Sequence, residues 1–357
     1  MRAILSAIAL FTLFLPVQAQ ELSWQEANRQ SATLLDAGNA EEAAPLARQA
    51  AELYPSQSNA YKPQNHAQLV LNAVEMTQIA EGQEAAALFL EDALKAIEAK
   101  AGEREILLAP LSAKAARMFG LLAEYGKSQR YYRRACSLAD DIWGETDPRS
   151  ILYYMNWGHD LRQRFGASWA NGKLKTARKR AETHGEDNFL VLRADLLLAK
   201  IRLENGKEHS AIHAYQELVD RLEQQPEKDP LLLQSSYAHL AYAYNEIGDD
   251  EALDTILGKF GQTFSGNKDD IQPLIRVVPV YPSHAARIGR EGYVVVEFTL
   301  DKLGRVVGPK IIESEGGREF ERSALDAIEN WRYRPQLIDG EPQVMENVQT
   351  LLTFDLK

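Results

Sequence analysis

The apolar and polar positions of residues 21–262 show no strand-like alternation of any length. Ala, Leu, Glu, Gln and Arg are frequent here, which is the composition of stacked helices. One unit recurs, with a helix, a glycine at a turn and an Ala-rich second helix. The turn glycines follow one another at intervals of 40 to 44 residues: Gly38, Gly82, Gly126, Gly166, Gly206 and Gly248. This period predicts an all-α helical-repeat solenoid of about six helical hairpins.

The units of residues 21–262 resemble tetratricopeptide repeats, which build a TPR-like solenoid. Small residues follow each turn, as in Gly248-Asp249-Asp250-Glu251-Ala252, and Tyr54-Pro55 is predicted to end the second helix of the first unit. The stretch from Tyr131 to Pro148 resembles the 42-residue variety found in kinesin light chains. A solenoid leaves its concave surface free, so the array is expected to hold a peptide or protein ligand in its groove.

Residues 274–357 have a different pattern. Apolar residues occupy every second position at Val294, Val296, Phe298 and Leu300, which predicts a strand with one face on a core. Gly304 suits a turn into a second strand. Pro309 removes one ladder donor, so the second strand is expected to have an edge or a bulge there.

The pattern then changes to that of a helix and returns to that of a strand. Five apolar residues share one helical face after Arg318: Phe320, Ala324, Ala327, Ile328 and Trp331. Pro335 prevents continuation of this helix. Apolar positions alternate again from Val344 to Phe354, and Pro282 can begin a short helix that ends at Gly289. The sum is a small α+β domain of two helices on a three-stranded antiparallel sheet.

This C-terminal order of residues resembles the C-terminal domain of TonB-family energy transducers over residues 276–356. The resemblance rests on an ordered set that includes Tyr281-Pro282, Glu291-Gly292, Gly304, Trp331 and Tyr333-Arg334-Pro335. In that family the domain has no active site and accepts a receptor segment as an added strand beside its closing strand. The resemblance therefore implies these partner-binding residues: Val344, Glu346, Val348, Thr350, Leu352, Phe354, Arg276, Val278, Arg332 and Arg334. Such domains can also pair through their sheets, which would give a homodimer.

The first 19 residues predict a secretory signal peptide. Arg2 precedes an apolar run from Ala3 to Leu15, and Val17-Gln18-Ala19 is a small-residue cleavage site. Cleavage would place the chain in the periplasm, whereas a retained N-terminus would anchor it in the inner membrane, facing the periplasm. Residues 263–273 form a turn-rich polar linker between the array, residues 21–262, and the last domain, residues 274–357.

Composition and motifs give little sign of chemistry. The formal net charge of −11 disfavours nucleic acid and anionic lipid surfaces as partners. His209 and His213 have metal-ligand spacing on a helix, but Ser210 stands where a catalytic zinc motif needs Glu. Gly316-Gly317 fits a turn into a helix better than an anion site. The single cysteine, Cys136, is expected to be a buried apolar residue. The sequence thus predicts no enzyme, cofactor or metal site.

Three further hypotheses accompany the leading one, a periplasmic protein–protein interaction adaptor of a TonB-type energy transduction and outer-membrane transport system. The chain could be a membrane-anchored energy transducer with an uncleaved N-terminus. It could be a cell-envelope assembly scaffold, because a fold does not fix a function. A hydrolase or metalloenzyme built on His209 and His213 is the hypothesis from a different class. The expected partners are an outer-membrane TonB-dependent receptor or subunits of an envelope transport complex.

Overall fold

The computed structural model describes residues 22–227, 229–263, 271, 273–338 and 341–356. The chain divides into two compact units, Met1–Gly144 and Glu145–Lys357. The predicted signal peptide, residues 1–19, and most of the predicted linker, residues 263–273, lie outside the described residues.

The described part of the first unit consists of three helical hairpins. Its helices, taken in pairs, are α1 (Trp24–Asp36), α2 (Ala40–Gln57), α3 (Pro63–Glu81), α4 (Gln83–Ala101), α5 (Leu108–Leu121) and α6 (Tyr125–Trp143). Alanine and leucine side chains fill the space between neighbouring helices, including Ala43, Ala47 and Ala73 in one buried cluster. Small side chains let the helix axes approach closely, which explains the Ala-rich second helices.

The second unit begins with three further hairpins. Their helices are α7 (Pro148–Phe165), α8 (Ala167–Ala181), α9 (Phe189–Glu204), α10 (Glu208–Gln224), α11 (Pro230–Ile247) and α12 (Asp250–Thr263). Asp147, Asn188 and Asp229 cap α7, α9 and α11 by accepting a backbone N–H. The predicted helical-repeat fold of the region before the last domain is confirmed.

Two details of the predicted hairpins are wrong. Gly126 is the second residue of α6, and Ala123 holds the left-handed turn position with φ of 59°. The N–H of Glu124 bonds to the carbonyl of Phe119, which completes a helix-ending motif without a glycine. Pro55 does not stop α2, which continues to Gln57. Pro55 cannot donate to the carbonyl of Ala51, and the ring of the buried His66 bonds to that carbonyl instead.

The rest of the second unit is the predicted α+β domain. It contains, in chain order, β1 (Pro273–Ile275), α13 (Ser283–Arg287), β2 (Gly292–Leu300), β3 (Val306–Glu315), α14 (Arg318–Ile328), β4 (Arg332–Tyr333), β5 (Gln336–Ile338), β6 (Glu341–Gln343) and β7 (Met345–Phe354). The main sheet is antiparallel in the order β3-β2-β7. Strand β1 pairs with β4, and β5 pairs with β6. These four short strands were not expected from the sequence.

The pairing of β3 with β2 is irregular at two places. Strand β3 has an extra residue at Gly308–Pro309, where Glu297 pairs with Lys310 and Thr299 with Val307. This is the bulge predicted from Pro309. A second extra residue, Ile312, lies between the partners of Val295 and Val296.

In the part of the chain that the structure describes, no helix is both long and apolar enough to cross a membrane.

Candidate partner-binding edge of the C-terminal sheet

The turn between β2 and β3 ties the sheet to the end of α14. The Asp301 carboxylate accepts the N–H groups of Leu303 and Arg305, both at 2.9 Å. The carbonyl of Gly304 accepts the N–H of Tyr333 at 2.8 Å. A side chain at residue 304 would collide with the backbone, because an added Cβ would lie 2.1 Å from the carbonyl oxygen of Tyr333. Glycine is therefore required at this position.

Trp331 fixes the segment that leads into the domain. Its indole Nε1–H donates to the carbonyl oxygen of Val277 at 2.7 Å, and its buried ring lies 5.0 Å from the guanidinium of Arg276. Farther along, the Ser323 hydroxyl of α14 donates to the carbonyl of Val280 at 2.5 Å. The lead-in segment is thus held against α14 and Trp331. Arg276 and Val278 belong to this surface, apart from the closing strand.

Three aromatic rings join the lead-in segment to the closing strand. The ring of Phe320 stacks on that of Phe354 with centroids 4.5 Å apart. Tyr281 meets both rings edge-on, at 5.5 and 5.9 Å. Phe354 is therefore part of the domain core, where its side chain cannot touch a partner.

Strand β7 is one edge of the three-stranded sheet. It pairs with β2 along one side, and no described strand pairs with its other side. Leu352 is buried in the core, while Val348 and Thr350 are half-buried. Leu351, which the sequence interpretation left out, has 54% of its surface exposed. The sequence does indicate this exposure. Leu351 and Leu352 are adjacent on a strand, and adjacent residues face opposite sides, so one of the two leucines points away from the core.

An irregularity at the start of β7 changes which residues face the core. Leu300 pairs with Met345 and Phe298 with Val348, so β7 has one extra residue between them. Asn347 adopts a left-handed φ of 58° there, which asparagine tolerates better than most residues. Met345 consequently packs on the core, and Val344 and Glu346 are exposed. A single alternation from Val344 to Phe354 is therefore wrong before Asn347.

The two arginines after α14 differ in their surroundings. The Arg332 guanidinium donates to the carbonyls of Trp331 and Glu329, at 3.1 and 3.3 Å, and lies 3.7 Å from the Asp250 carboxylate. It is therefore engaged within the chain, which weakens the case for a partner contact. Arg334 is half-buried, and its backbone carbonyl accepts the side chain of Gln336 at 3.2 Å.

Polar side chains bridge the three strands on the solvent face of the sheet. Glu297 of β2 pairs with Lys310 of β3 at 2.7 Å and accepts the Gln349 amide of β7 at 2.8 Å. These bonds to Lys310 and Gln349 hold the pKa of Glu297 below its usual value. Burial raises the pKa of Tyr333 to about 12.

The domain also packs directly on the last repeat helix, which the sequence did not indicate. The Arg305 guanidinium pairs with the Asp254 carboxylate of α12, with Nε 2.9 Å from Oδ1. Ile275 is buried in the hydrophobic cluster of α9 to α12, and Leu274 packs against that cluster. Strand β1 therefore belongs to the packing of both the array and the domain.

The histidine pair considered for metal binding lies on the surface of α10. His209 and His213 are both exposed, and the His213 ring is 3.5 Å from the Glu217 carboxylate. Within the described ranges, no group of three or more His, Cys, Asp or Glu side chains is placed to hold a metal ion.

Residues 277–356 match the family model described as Gram-negative bacterial TonB protein C-terminal. The chain is 34% identical over 82 residues to Protein TonB of Vibrio cholerae serotype O1, covering 23% of this chain and 33% of that protein. It is 39% identical over 75 residues to Protein TonB of Pseudomonas aeruginosa, covering 21% and 22%. The chain thus spans a third or less of the length of these curated relatives. The predicted TonB-type C-terminal domain is confirmed.

The helical hairpins of α1 to α12 precede this domain. One similar solved structure contains kinesin light chain TPR-like repeats from Podosopora anserina. It shares 12% sequence identity, covers 57% of this chain and 97% of that chain, and has a TM-score of 0.44.

Proposed function

We propose that the chain is a periplasmic protein–protein adaptor of a TonB-type energy transduction and outer-membrane transport system. The observation that carries this proposal is β7, a ten-residue edge strand in a domain of the TonB C-terminal type. An edge strand offers unpaired N–H and C=O groups to an extended peptide, which can add as a further strand. An extended segment of an outer-membrane TonB-dependent receptor is the partner proposed for this edge.

The side chains of this edge have two different roles: some hold β7 in the fold, and others can contact a partner. The core positions Leu352 and Phe354 hold β7 in place, so their contribution is to the fold. Val344, Glu346 and Leu351 are exposed and can contact the side chains of an added strand. Backbone hydrogen bonds supply affinity in such complexes, and the alternate side chains supply specificity.

The repeat helices supply a second binding surface, for a peptide or protein of the envelope transport complex. A cavity of about 310 Å³ lies between α7, α9 and α11, and it is lined largely by apolar side chains. Phe189 and Leu231 at this cavity are exposed, with Leu231 exposing 77% of its surface. Exposed large apolar side chains around a cavity are typical of an interaction site.

The proposed periplasmic location rests on the predicted signal peptide. Cell fractionation with N-terminal sequencing of the mature chain tests it. A periplasmic chain that begins at Gln20 supports the adaptor. A full-length chain in the inner membrane would replace it with an anchored energy transducer.

The edge itself is tested with two neighbouring proline variants, Thr350→Pro and Leu351→Pro. Adjacent residues of an antiparallel strand point their N–H groups to opposite sides, so one variant breaks pairing with β2 and the other changes only the free edge. The variant that keeps its amide protection in hydrogen exchange is then titrated with a synthetic peptide of the receptor segment. We expect at least about tenfold weaker binding, because one backbone bond is lost and the ring obstructs the added strand.

The matched control is Ile312→Pro on the opposite edge. Ile312 is the extra residue of a bulge and has no partner residue in β2, and proline is tolerated at bulges. This control is expected to bind the peptide as the unmodified chain does. Equal peptide affinity for the folded β7 variant and the control would refute binding at β7.

A further inference from the structure

Helix α8 carries a concentrated positive charge in an acidic protein. Residues 167–181 contain five Lys or Arg and no acidic residue, whereas the whole chain has a formal net charge of −11. The opposite side of α8, including Ala170, Leu174 and Ala177, is buried in its hairpin. Trp169 projects from the outward side with 67% of its surface exposed. Large aromatic side chains this exposed are uncommon on a free protein surface and frequent in interfaces.

Not all of this charge is available to a partner. Arg178 is bound to Asp195 at 2.5 Å and also pairs with Glu182 and Glu186. Lys173 lies over the ring of Trp157, 3.7 Å from its centroid. Lys175 and Lys179 are exposed, and neither forms an ion pair with another described residue. The outward face of α8 therefore presents Trp169 together with two unpaired ammonium groups.

A complementary recess lies between α10, α11 and α12. It is open, has a volume of about 560 Å³, and includes the apolar side chains Val219, Leu240, Ala252 and Ile256. Three carboxylates also line it, Asp220, Asp249 and Glu251, together with one cation, Lys259, whose ammonium pairs with Glu223. An apolar floor suits an indole ring, and acidic side chains suit the lysines beside it. We call this cavity the acidic recess.

Ion pairs show that α8, α10 and α12 follow one another in the same unit. Arg178 of α8 and Arg221 of α10 bind the two carboxylate oxygens of Asp195, at 2.5 and 2.9 Å. On the next hairpin, Glu223 of α10 pairs with Lys259 of α12 at 3.2 Å. Helix α10 thus lies between the basic helix and the acidic recess.

We infer that two copies of the chain associate, with Trp169, Lys175 and Lys179 of each copy seated in the acidic recess of the other. A two-fold axis that passes near α10 brings α8 of one copy to α12 of its partner and repeats the contact on the other side. The two contacts then act together, which raises the affinity above that of either alone.

An anionic membrane is a less suitable partner for this surface. Trp169 is the one exposed large apolar residue of α8, and a lipid surface attracts each basic residue by only about 1 kcal/mol. The net charge of −11 would oppose approach to anionic lipid. The acidic recess matches the charge of α8 and also offers an apolar floor for the indole.

Sedimentation equilibrium of the full chain in low-salt and high-salt buffer is the first test. We expect a dimer whose dissociation constant rises with salt, because the lysine–carboxylate attraction is screened. Trp169→Ala should raise the dissociation constant at least about tenfold. The double charge reversal Lys175→Glu/Lys179→Glu should raise the dissociation constant by at least the same factor.

Charge exchange distinguishes a direct contact from a general effect of charge. The reversal Asp220→Lys/Glu251→Lys should also prevent dimerisation, and a chain carrying all four substitutions should recover it. Asp249 is left unchanged because its side chain accepts the N–H of Ala252 at the start of α12. The control Lys302→Glu/Arg318→Glu changes the net charge by the same amount as Lys175→Glu/Lys179→Glu. Its substitutions lie in the C-terminal domain, and it should leave the dimer intact.

A monomer at every salt concentration would overturn the inference. So would a dimer that the Trp169 and lysine variants leave unchanged, or the absence of recovery in a folded four-residue variant. Cosedimentation of a monomeric chain with anionic phospholipid vesicles, lost in Trp169→Ala, would assign the surface to a membrane and likewise overturn the dimer.

Discussion

The helical array and the C-terminal domain both place glycines at turns, yet the two regions restrict those glycines differently. At Gly248, between α11 and α12, an added Cβ would meet no atom within 4 Å, so only the left-handed backbone, with φ of 71°, favours glycine. At Gly304 an added Cβ would meet the backbone of Tyr333 at 2.1 Å. The array repeats local interactions that tolerate exchange. The domain depends on contacts between distant residues that are each made once.

The largest expected effect comes from breaking one of those contacts. Gly304→Ala forces a clash between two backbones in addition to an unfavourable φ of 77°. We expect a loss of at least about 4 kcal/mol in the unfolding free energy of the domain, the range of severe core overpacking and strain. Hydrogen exchange should show loss of protection in β2, β3 and β7, with α7 to α10 still protected. Retained protection in β3 would contradict the assigned clash.

Acid should destabilise the helical array through two of its histidines. Burial lowers the pKa of His66 and of His239 to about 4, from an ordinary value of 6.5, whereas His284 of the domain is exposed. The unfolded chain binds protons that the folded array refuses, so stability is full above pH 6.5 and falls as the pH drops toward 4. At His66 alone the loss is about 3 kcal/mol over that window.

Hydrogen exchange of α2 to α4 measures the unfolding free energy of the array. It is recorded from about pH 7 to about pH 4.5, which covers most of the range in which the loss is expected. His66→Gln cannot titrate but can still donate to the carbonyl of Ala51. It should flatten the pH dependence in these helices. An unchanged slope in this variant would show that other groups cause the acid sensitivity.

A smaller effect is expected from the Trp331 hydrogen bond. Trp331→Phe leaves the carbonyl of Val277 without its donor and a small space beside α14. We expect a loss of about 2 kcal/mol, combining one unsatisfied acceptor with a partly filled cavity. Chemical denaturation measures it, and exposure of the lead-in segment to proteolysis near Val278 should increase. Ser323→Ala, which removes the neighbouring bond to Val280, is the comparison variant.

The smallest effect sharpens the contrast with Gly304. Gly248→Ala adds a methyl group to open space and requires only that alanine adopt the left-handed conformation, which costs about 1 kcal/mol. The midpoint of denaturation of α11 and α12 should shift slightly, with the C-terminal domain unchanged. A loss similar to that of Gly304→Ala would remove the distinction between the two regions.

Helix and strand periods carried most of the fold prediction. The core positions Val294, Val296, Phe298 and Leu300 are all buried, as their alternation indicated. The bulge at Pro309 followed from the missing N–H. The hairpin of β5 and β6 was missed, although Asp339-Gly340 between its strands is a strong hairpin signal. Pairing over a few residues leaves a weak periodic pattern, and turn chemistry is then the better indicator.

The candidate site was harder to predict than the fold. The strand was identified, but the extra residue at Asn347 reverses the facing of Val344 and Glu346, and period alone cannot reveal such a shift. Arg332 is engaged inside the chain because α14 ends beside it. The pair of Arg305 and Asp254 joins residues 51 positions apart, which neither period nor motif indicates.

The segment Leu274–Ile275 has a consequence for how such chains are put together. Its backbone continues a small sheet with β4, while Ile275 fills the end of the repeat core. A domain cut out at residue 277 and fused to another protein would lack β1, so β4 would have no pairing strand, while Ile275 would stay with the repeat helices. Transfer of the domain with the pairing of β1 and β4 intact therefore requires that the cut lie before Pro273.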